Sequence, residues 1–414
     1  MNIELSKIRS ILFLLAIFLT NVCTMADMVI IPAVGGLFEA FDNVTLVNLI
    51  ITGPALVGVL FCILGGRLAD RYNKKMLLVF GFSLFTASSI LGATVDNVWY
   101  VLILRIFSGG ISWGFTSSAA LAIVAEVYLD ENKRSTIMGW YNAAMAAIGA
   151  VLSIIAGLLA VNSWQSAYNT YWIGIPILIL VILFVPNLEN VKKLATTDVN
   201  PSEKETNESG DTIDRNWVRD LTILLLAFFT TGIVYYIIYY KIALYVEATG
   251  IGNEAVIGTL SSLGTVGSCI IGLCFGLIYS KLKTATIIPT YIVFSITFMA
   301  LYLSSDLLIS AICCTILGAA WGNAYSYYYV RATIIAPPKF TATAIGAVSA
   351  TSGVAIFLST FVATYLQDLL GASSVVGILP ALSIASLIGA VLAIVSSVRS
   401  RKEAARLQYQ EQHS

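Results

Sequence analysis

Gly65-Gly66-Arg67-Leu68-Ala69-Asp70-Arg71-Tyr72-Asn73-Lys74-Lys75 sets four cations and one carboxylate between two apolar runs, residues 44–66 and 76–95. A helix needs about 20 mostly apolar residues to cross the hydrocarbon of a bilayer, and each run is that long. The charged stretch therefore reads as a short loop at a membrane surface. Lys and Arg concentrate in cytoplasmic loops, so four of them together assign this loop a side.

Working outward from that loop, apolar segments of spanning length recur near 11–37, 98–127, 136–160 and 167–186. They resume near 218–246, 254–280, 285–304, 307–335, 341–367 and 375–398. With the two beside the quoted loop, they predict twelve spans. Composition agrees: 58% of the residues are hydrophobic and 11% charged, against about 25% charged in soluble domains. Counting loops alternately from a cytoplasmic N-terminus tests the number. Lys7 and Arg9, the Arg67–Lys75 cluster, Lys133, Arg134, Lys192, Lys193, Lys281, Lys283, Lys339 and Arg399–Arg406 all fall inside. The outer loops carry Glu39, Asp42, Asp96, Glu247, Glu254, Asp306 and Asp368, and no Lys or Arg. One span more or fewer would scramble this segregation. The expectation is a multi-pass cell-membrane protein of the bacterial inner-membrane kind, with both termini cytoplasmic and the lipid bilayer as its solvent. Residues 11–37 are too long for a signal-peptide core and lack an Ala-x-Ala cleavage pattern.

Several classes of function fall away. The 23 basic and 23 acidic residues balance, which excludes an electrostatic nucleic-acid partner. All six cysteines lie in apolar segments without ligand spacing, and the single histidine, His413, sits in the terminal stretch. Disulfides, a metal centre and nucleophilic or metal-dependent enzyme chemistry therefore lack their parts. No Gly-rich phosphate loop is present, and no cofactor is expected.

Residues 187–217, rich in Ser, Thr, Asn and charge, read as a cytoplasmic linker between a first bundle of six spans, 1–186, and a second, 218–398. Residues 399–414 read as a cytoplasmic tail. The halves echo each other: 207 residues separate Gly65 from Gly272, and the same interval separates Gly139 from Gly346. The expected fold is an all-α membrane protein of twelve transmembrane helices in two pseudo-symmetric six-helix bundles. Duplication of this kind places a solute site between the halves and implies alternating access.

Gly66-x-x-x-Asp70-Arg71-x-Asn73-Lys74-Lys75 resembles the loop between spans 2 and 3 that marks the major facilitator superfamily, with Asn73 where the family usually has Gly. Arg105-x-x-Ser108-Gly109 in span 4 is similar to the family's Arg-x-x-Gln-Gly element, and Glu126, Arg134 and Gly139 fall in a familiar pattern. Asp27-x-x-Ile30-Ile31-Pro32 looks like the drug:proton antiporter branch. That branch tends to have Gly-Pro-x-x-Gly-Gly in span 5, where this chain reads Ala147-Ile148-Gly149-Ala150-Val151, with no proline. The resemblance implies a secondary transporter, usually monomeric. It also implies a gating motif made of Gly66, Asp70, Arg71, Lys74, Glu126 and Arg134. Asp70 would accept hydrogen bonds from a facing helix N-terminus, whose dipole favours negative charge, while Arg71, Arg134 and Glu126 would pair; the plainer reading makes them solvated anchors.

Ionisable groups deep in spans are costly and are functional candidates by default. Asp27 is central in span 1, with Thr20 and Thr24 within about 60° of its direction. Either it carries a proton or accepts a cation, or it is a structural carboxylate bonded to neighbouring helices. Arg105 shares a polar stripe with Gly109, Ser112 and Thr116, and either pairs with a carboxylate such as Asp27 or holds a solute anion. Late in span 7, Lys241 follows Tyr235, Tyr236, Tyr239 and Tyr240. These tyrosines line a cavity or form an interfacial belt, and Lys241 meets an anion or snorkels outward. Span 10 offers an aromatic face of Trp321, Tyr325, Tyr328 and Tyr329 beside a polar strip of Asn323, Tyr327 and Arg331, a fit for an amphipathic organic solute. Arg331 either contacts it or anchors the helix at the headgroups.

The candidate solute-binding residues are thus Asp27, Arg105, Lys241, Tyr236, Tyr240, Asn323, Tyr325, Tyr328 and Arg331. The leading expectation is a secondary transporter of a small organic anion, an aromatic or amphipathic carboxylate, coupled to protons or a counter-ion. The alternative is a proton-coupled exporter of lipophilic compounds.

Overall fold

In lipid no water satisfies an exposed backbone amide, so a spanning segment must bond to itself and folds as a helix. The computed structural model describes residues 7–187 and 216–411, apart from 42, 161 and 253. The expected linker falls almost wholly outside the described residues.

Span 1 is assembled from Lys7–Leu19, Asn21–Thr24, Asp27–Ile30, a 3-10 turn Ile31–Ala33 and Val34–Ala40. Spans 2 to 6 are Val44–Arg71, Lys74–Leu91, Val98–Val127, Glu131–Ala160 and Trp164–Phe184. Span 7, Trp217–Tyr240, is followed by Ile242–Thr249. Spans 8 to 12 are Glu254–Leu282, Ile287–Leu303, Leu307–Ile335, Thr341–Leu370 and Leu379–Glu411. Among the described residues ten helical stretches are long and apolar enough to cross a membrane alone. A bent pair, Ile8–Thr24 with Asp27–Ala33, adds an eleventh. The stretch Thr259–Leu303 holds 45 residues, roughly 68 Å of helix at 1.5 Å per residue, about twice a bilayer's hydrocarbon. It turns at Lys283, whose φ is +50°, and so supplies spans 8 and 9. The count is twelve, as expected. The last helix continues to Glu411, so most of the expected tail prolongs span 12.

Polar caps begin the helices where the loops need them. Asn73 accepts from the Met76 amide and Asn97 from those of Trp99 and Tyr100, which satisfies amides that have no partner inside the helix. Asn73 is extended, with φ −61° and ψ 114°. It replaces the usual glycine as an N-cap, without entering a left-handed turn.

The chain forms two compact units. One comprises 1–129, 148–226 and 331–354, and the other 130–147, 227–330 and 355–414. Within the first, span 2 packs on the start of span 11: a Cβ on Gly346 would lie 2.2 Å from the Cys62 carbonyl oxygen. Within the second, span 8 packs on the start of span 5 in the same manner, a Cβ on Gly139 falling 2.5 Å from the Gly272 oxygen. The interval of 207 residues read from the sequence thus relates two helix crossings, each closed by the absence of a side chain. The tightest seam joins spans 8 and 10, where a Cβ on Gly318 would meet the Gly264 oxygen at 1.8 Å. Small residues let spans approach this closely, and dispersion then holds them.

Gly318→Ala cannot be relieved by a rotamer, because the obstacle is backbone. Overpacking of this kind costs about 1–3 kcal/mol. The thermal unfolding midpoint of the purified variant should fall by several degrees. Gly157→Ala, where the nearest atom is Pro32 Cβ at 3.9 Å, should leave it unchanged.

Candidate functional site

In the first unit three spans depart from α-helical geometry around one ion pair. Span 1 bends by 51° between Thr24 and Asp27. Pro32, four residues after Met28, removes a helical donor and forces the chain into the 3-10 turn Ile31–Ala33. Span 4 widens into a π segment, Ile106–Ile111, directly after Arg105. The Ser112 hydroxyl donates to the Phe107 carbonyl at 2.7 Å, five residues back, which matches the wider register. Span 6 tightens into a 3-10 segment, Tyr168–Ile173.

The Arg105 guanidinium folds back over Gly109, where a Cβ would lie 2.9 Å from Nη1. Its Nη2 donates to Asp27 Oδ1. The partners are unequal: the Arg105 side chain is 1% exposed and that of Asp27 56%. Arg105 Nε and Nη1, and the neighbouring Tyr168 hydroxyl, are buried without acceptor or donor among the described residues. A buried cation is thus neutralised by one carboxylate that remains reachable from outside the bundle. The sequence flagged both members of the pair. It missed Tyr171, whose buried hydroxyl donates to the Ala26 carbonyl at 2.8 Å. The signal available was slight: two tyrosines three residues apart in an apolar span.

Four of the six expected gating residues, Gly66, Asp70, Lys74 and Glu126, make their contacts within the first unit. Asp70 Oδ1 accepts the Ala342 amide at 2.9 Å and Oδ2 the Thr343 amide at 2.7 Å, with the Thr343 hydroxyl donating to Oδ2 as well. The carboxylate therefore caps the N-terminus of span 11, where the helix dipole favours it. Gly66 makes room, since a Cβ there would lie 2.5 Å from the Ala342 oxygen. Glu126 takes Lys74 as partner at 2.9 Å. Arg71 is exposed and forms no ion pair among the described residues. Arg134 belongs to the second unit, where its Nε is buried without an acceptor.

The second unit gathers the aromatic candidates. Phe228 of span 7 meets Trp321, Tyr325, Tyr328 and Tyr329 of span 10 with ring centroids 4.9–6.5 Å apart. Tyr235 lies flat on Trp321 at 4.6 Å, and Tyr236 meets the same indole edge-on at 4.9 Å. Tyr240 packs against Tyr236 and is half-exposed. Tyr328 closes a ring of three hydroxyls with Thr231 and Tyr291, at 2.7, 2.9 and 3.1 Å. Asn323 donates to the Thr286 carbonyl and Thr290 Oγ1, leaving its own oxygen buried and unpartnered. Lys241 occupies the non-helical step between Tyr240 and Ile242. Neither it nor Arg331, which lies in the first unit, forms an ion pair among the described residues.

The sequence profile described as Major Facilitator Superfamily matches residues 16–360. The chain belongs to that superfamily. A triacylglyceride transporter of Mycolicibacterium smegmatis is 29% identical over 149 residues, 35% of this chain and 26% of that protein. A probable sugar efflux transporter of Helicobacter pylori is 30% identical over 158 residues, 37% of each chain. The chain thus spans well under half the length of these relatives. Among solved structures, the human organic anion transporter MFSD10 superposes with a TM-score of 0.71 over 92% of this chain and 99% of its own, at 15% identity. That likeness carries the fold. The matched residues include the charged loop Gly65–Lys75.

Removing the carboxylate of Asp70 should release the start of span 11. In Asp70→Ala, hydrogen exchange at the Ala342 and Thr343 amides should rise about two- to thirtyfold, for a lost cap of about 0.5–2 kcal/mol. Asp70→Asn, which keeps one acceptor, should fall between it and wild type.

Proposed function

We propose that the protein moves a small organic anion together with a proton, Asp27 taking the proton and Arg105 the anion. The observation that carries this is the inequality of the pair: an accessible carboxylate over a guanidinium that is buried with two N–H groups unpartnered. While Asp27 is ionised the pair is neutral. A proton on Asp27 removes the counter-charge, and an uncompensated cation in a low-dielectric interior is costly. An anionic solute restores the balance, so proton and anion load together. A carboxylate suits the guanidinium because it can accept two parallel N–H bonds. The proposed solute carries an apolar or ring-bearing body. The transporter works by alternating access of its two six-span halves, as a monomer in the cell membrane with both termini cytoplasmic.

The second reading is export of lipophilic cations. The exposed Asp27 carboxylate favours it, as does a relative named for efflux.

Proteoliposomes offered benzoate, salicylate and tetraphenylphosphonium, with and without an imposed pH gradient, separate the two. Gradient-driven carboxylate uptake should appear in the wild type. In Asp27→Asn, carboxylate exchange should persist while the gradient no longer drives uptake. In Arg105→Lys, KM should rise about tenfold as bidentate geometry is lost. Movement of tetraphenylphosphonium against a proton gradient, abolished in Asp27→Asn, would overturn the anion reading.

A further inference from the structure

We propose that Tyr171 is a positioning residue for the Asp27–Arg105 pair, acting through the break in span 1; the inference rests on the reading of that pair as the coupling site. A helix that breaks must place its carbonyls somewhere, and buried ones need donors. At the break the Met28 and Val29 amides reach back only three residues, to Met25 and Ala26, at 3.0 and 3.1 Å. The Ala26 carbonyl, the one immediately before Asp27, takes a second donor from span 6, the Tyr171 hydroxyl.

That hydroxyl cannot wander. Its ring is fully buried, set edge-on to Phe85 at 5.8 Å and to Tyr168 at 5.6 Å. The 3-10 winding of Tyr168–Ile173 puts Tyr168 and Tyr171 on one side of span 6, since residues three apart eclipse in that geometry. Gly174, next along, lets span 6 close on span 3, where a Cβ would meet Thr86 Oγ1 at 2.8 Å. The bond therefore ties a rigid wall to the one peptide that orients Asp27. The titratable and charged groups around the pair are Cys23 of span 1 and Tyr168 and Tyr171 of span 6. Of these, only Tyr171 bonds the backbone beside Asp27. Its role is to hold the bend so that the carboxylate meets Arg105 Nη2. Without the hydroxyl the bend relaxes and Arg105 grips Asp27 less firmly.

Dicyclohexylcarbodiimide couples to protonated carboxyl groups within its reach, so its adduct on Asp27 reads how firmly Arg105 holds that side chain. The full chain in lipid nanodiscs is treated at pH 7, the adduct is quantified by peptide mass spectrometry, and Asp27→Asn serves as the blank. Tyr171→Phe should label about tenfold faster than wild type at an unchanged thermal midpoint. Tyr168→Phe, which loses a neighbouring hydroxyl that bonds nothing, should label at the wild-type rate. Equal labelling of Tyr171→Phe and wild type, or equal acceleration by Tyr168→Phe, would overturn the proposal. The labelling needs no solute. Gradient-driven benzoate uptake that persists in Asp27→Asn would sink the coupling reading alone and leave the labelling result standing.

Discussion

A guanidinium enclosed among membrane spans has to be neutralised where it sits, and the first unit is arranged around that requirement. Arg105 carries its charge at every accessible pH, so the helices adapt to it. Span 1 breaks to bring Asp27 within reach, span 4 widens beside the arginine, and Gly109 omits a side chain so that the guanidinium can fold back over it. Regular α-helix in all three spans would be better backbone and a worse site. Within the first unit the irregularity is concentrated where the charge is.

The repeated architecture shows a related economy with a change of sign. In both units a glycine near the start of one span closes on the backbone of another, at Gly346 and at Gly139. The polar contacts beside them are opposite. In the first unit a carboxylate, Asp70, receives the amides that open span 11. In the second, position 277 is leucine, and the loop instead sends the Lys283 ammonium to Glu131 at 3.5 Å and to Asn132 Oδ1 at 2.7 Å. One start is held by an anion on the helix dipole. The other is held by a cation on side chains in the first turn. Asp70 makes three bonds to the partner helix with little exposed area, whereas Lys283 and Glu131 are both more than a third exposed and contribute less.

Much of this was legible in the sequence because hydrophobic length and loop charge are direct consequences of the bilayer. The spans start and stop near where those two signals place them, except that the last helix runs on to Glu411. Asp70 on a facing helix N-terminus follows from the family's loop motif and the dipole that favours a carboxylate there, and Asp27 is one of two partners open to Arg105; both contacts form. Lys74 as the partner of Glu126 did not follow, because several cations within a few residues serve equally well on paper and only packing selects one. Asn73 stands where the family usually has Gly and serves as a cap. The bend at Met25, the π segment and the Tyr171 bond left no mark in periodicity, since each turns on a single backbone register or a single hydroxyl. Phe228 was overlooked for another reason: nothing in an apolar span distinguishes a phenylalanine that touches four aromatic rings from one that touches lipid.

The π segment of span 4 carries a consequence for descent. A π turn is the trace of one residue accommodated within an α-helix, so a lineage that lost a residue between Ile106 and Ile111 would regain unbroken α register. Every position after it would then rotate by about 100° about the axis. Ser118, which bonds the Cys62 carbonyl at 3.1 Å, and Glu126, which holds Lys74, would both leave their partners. The number of residues in this short interval therefore sets which side chains of span 4 face span 2 and Lys74.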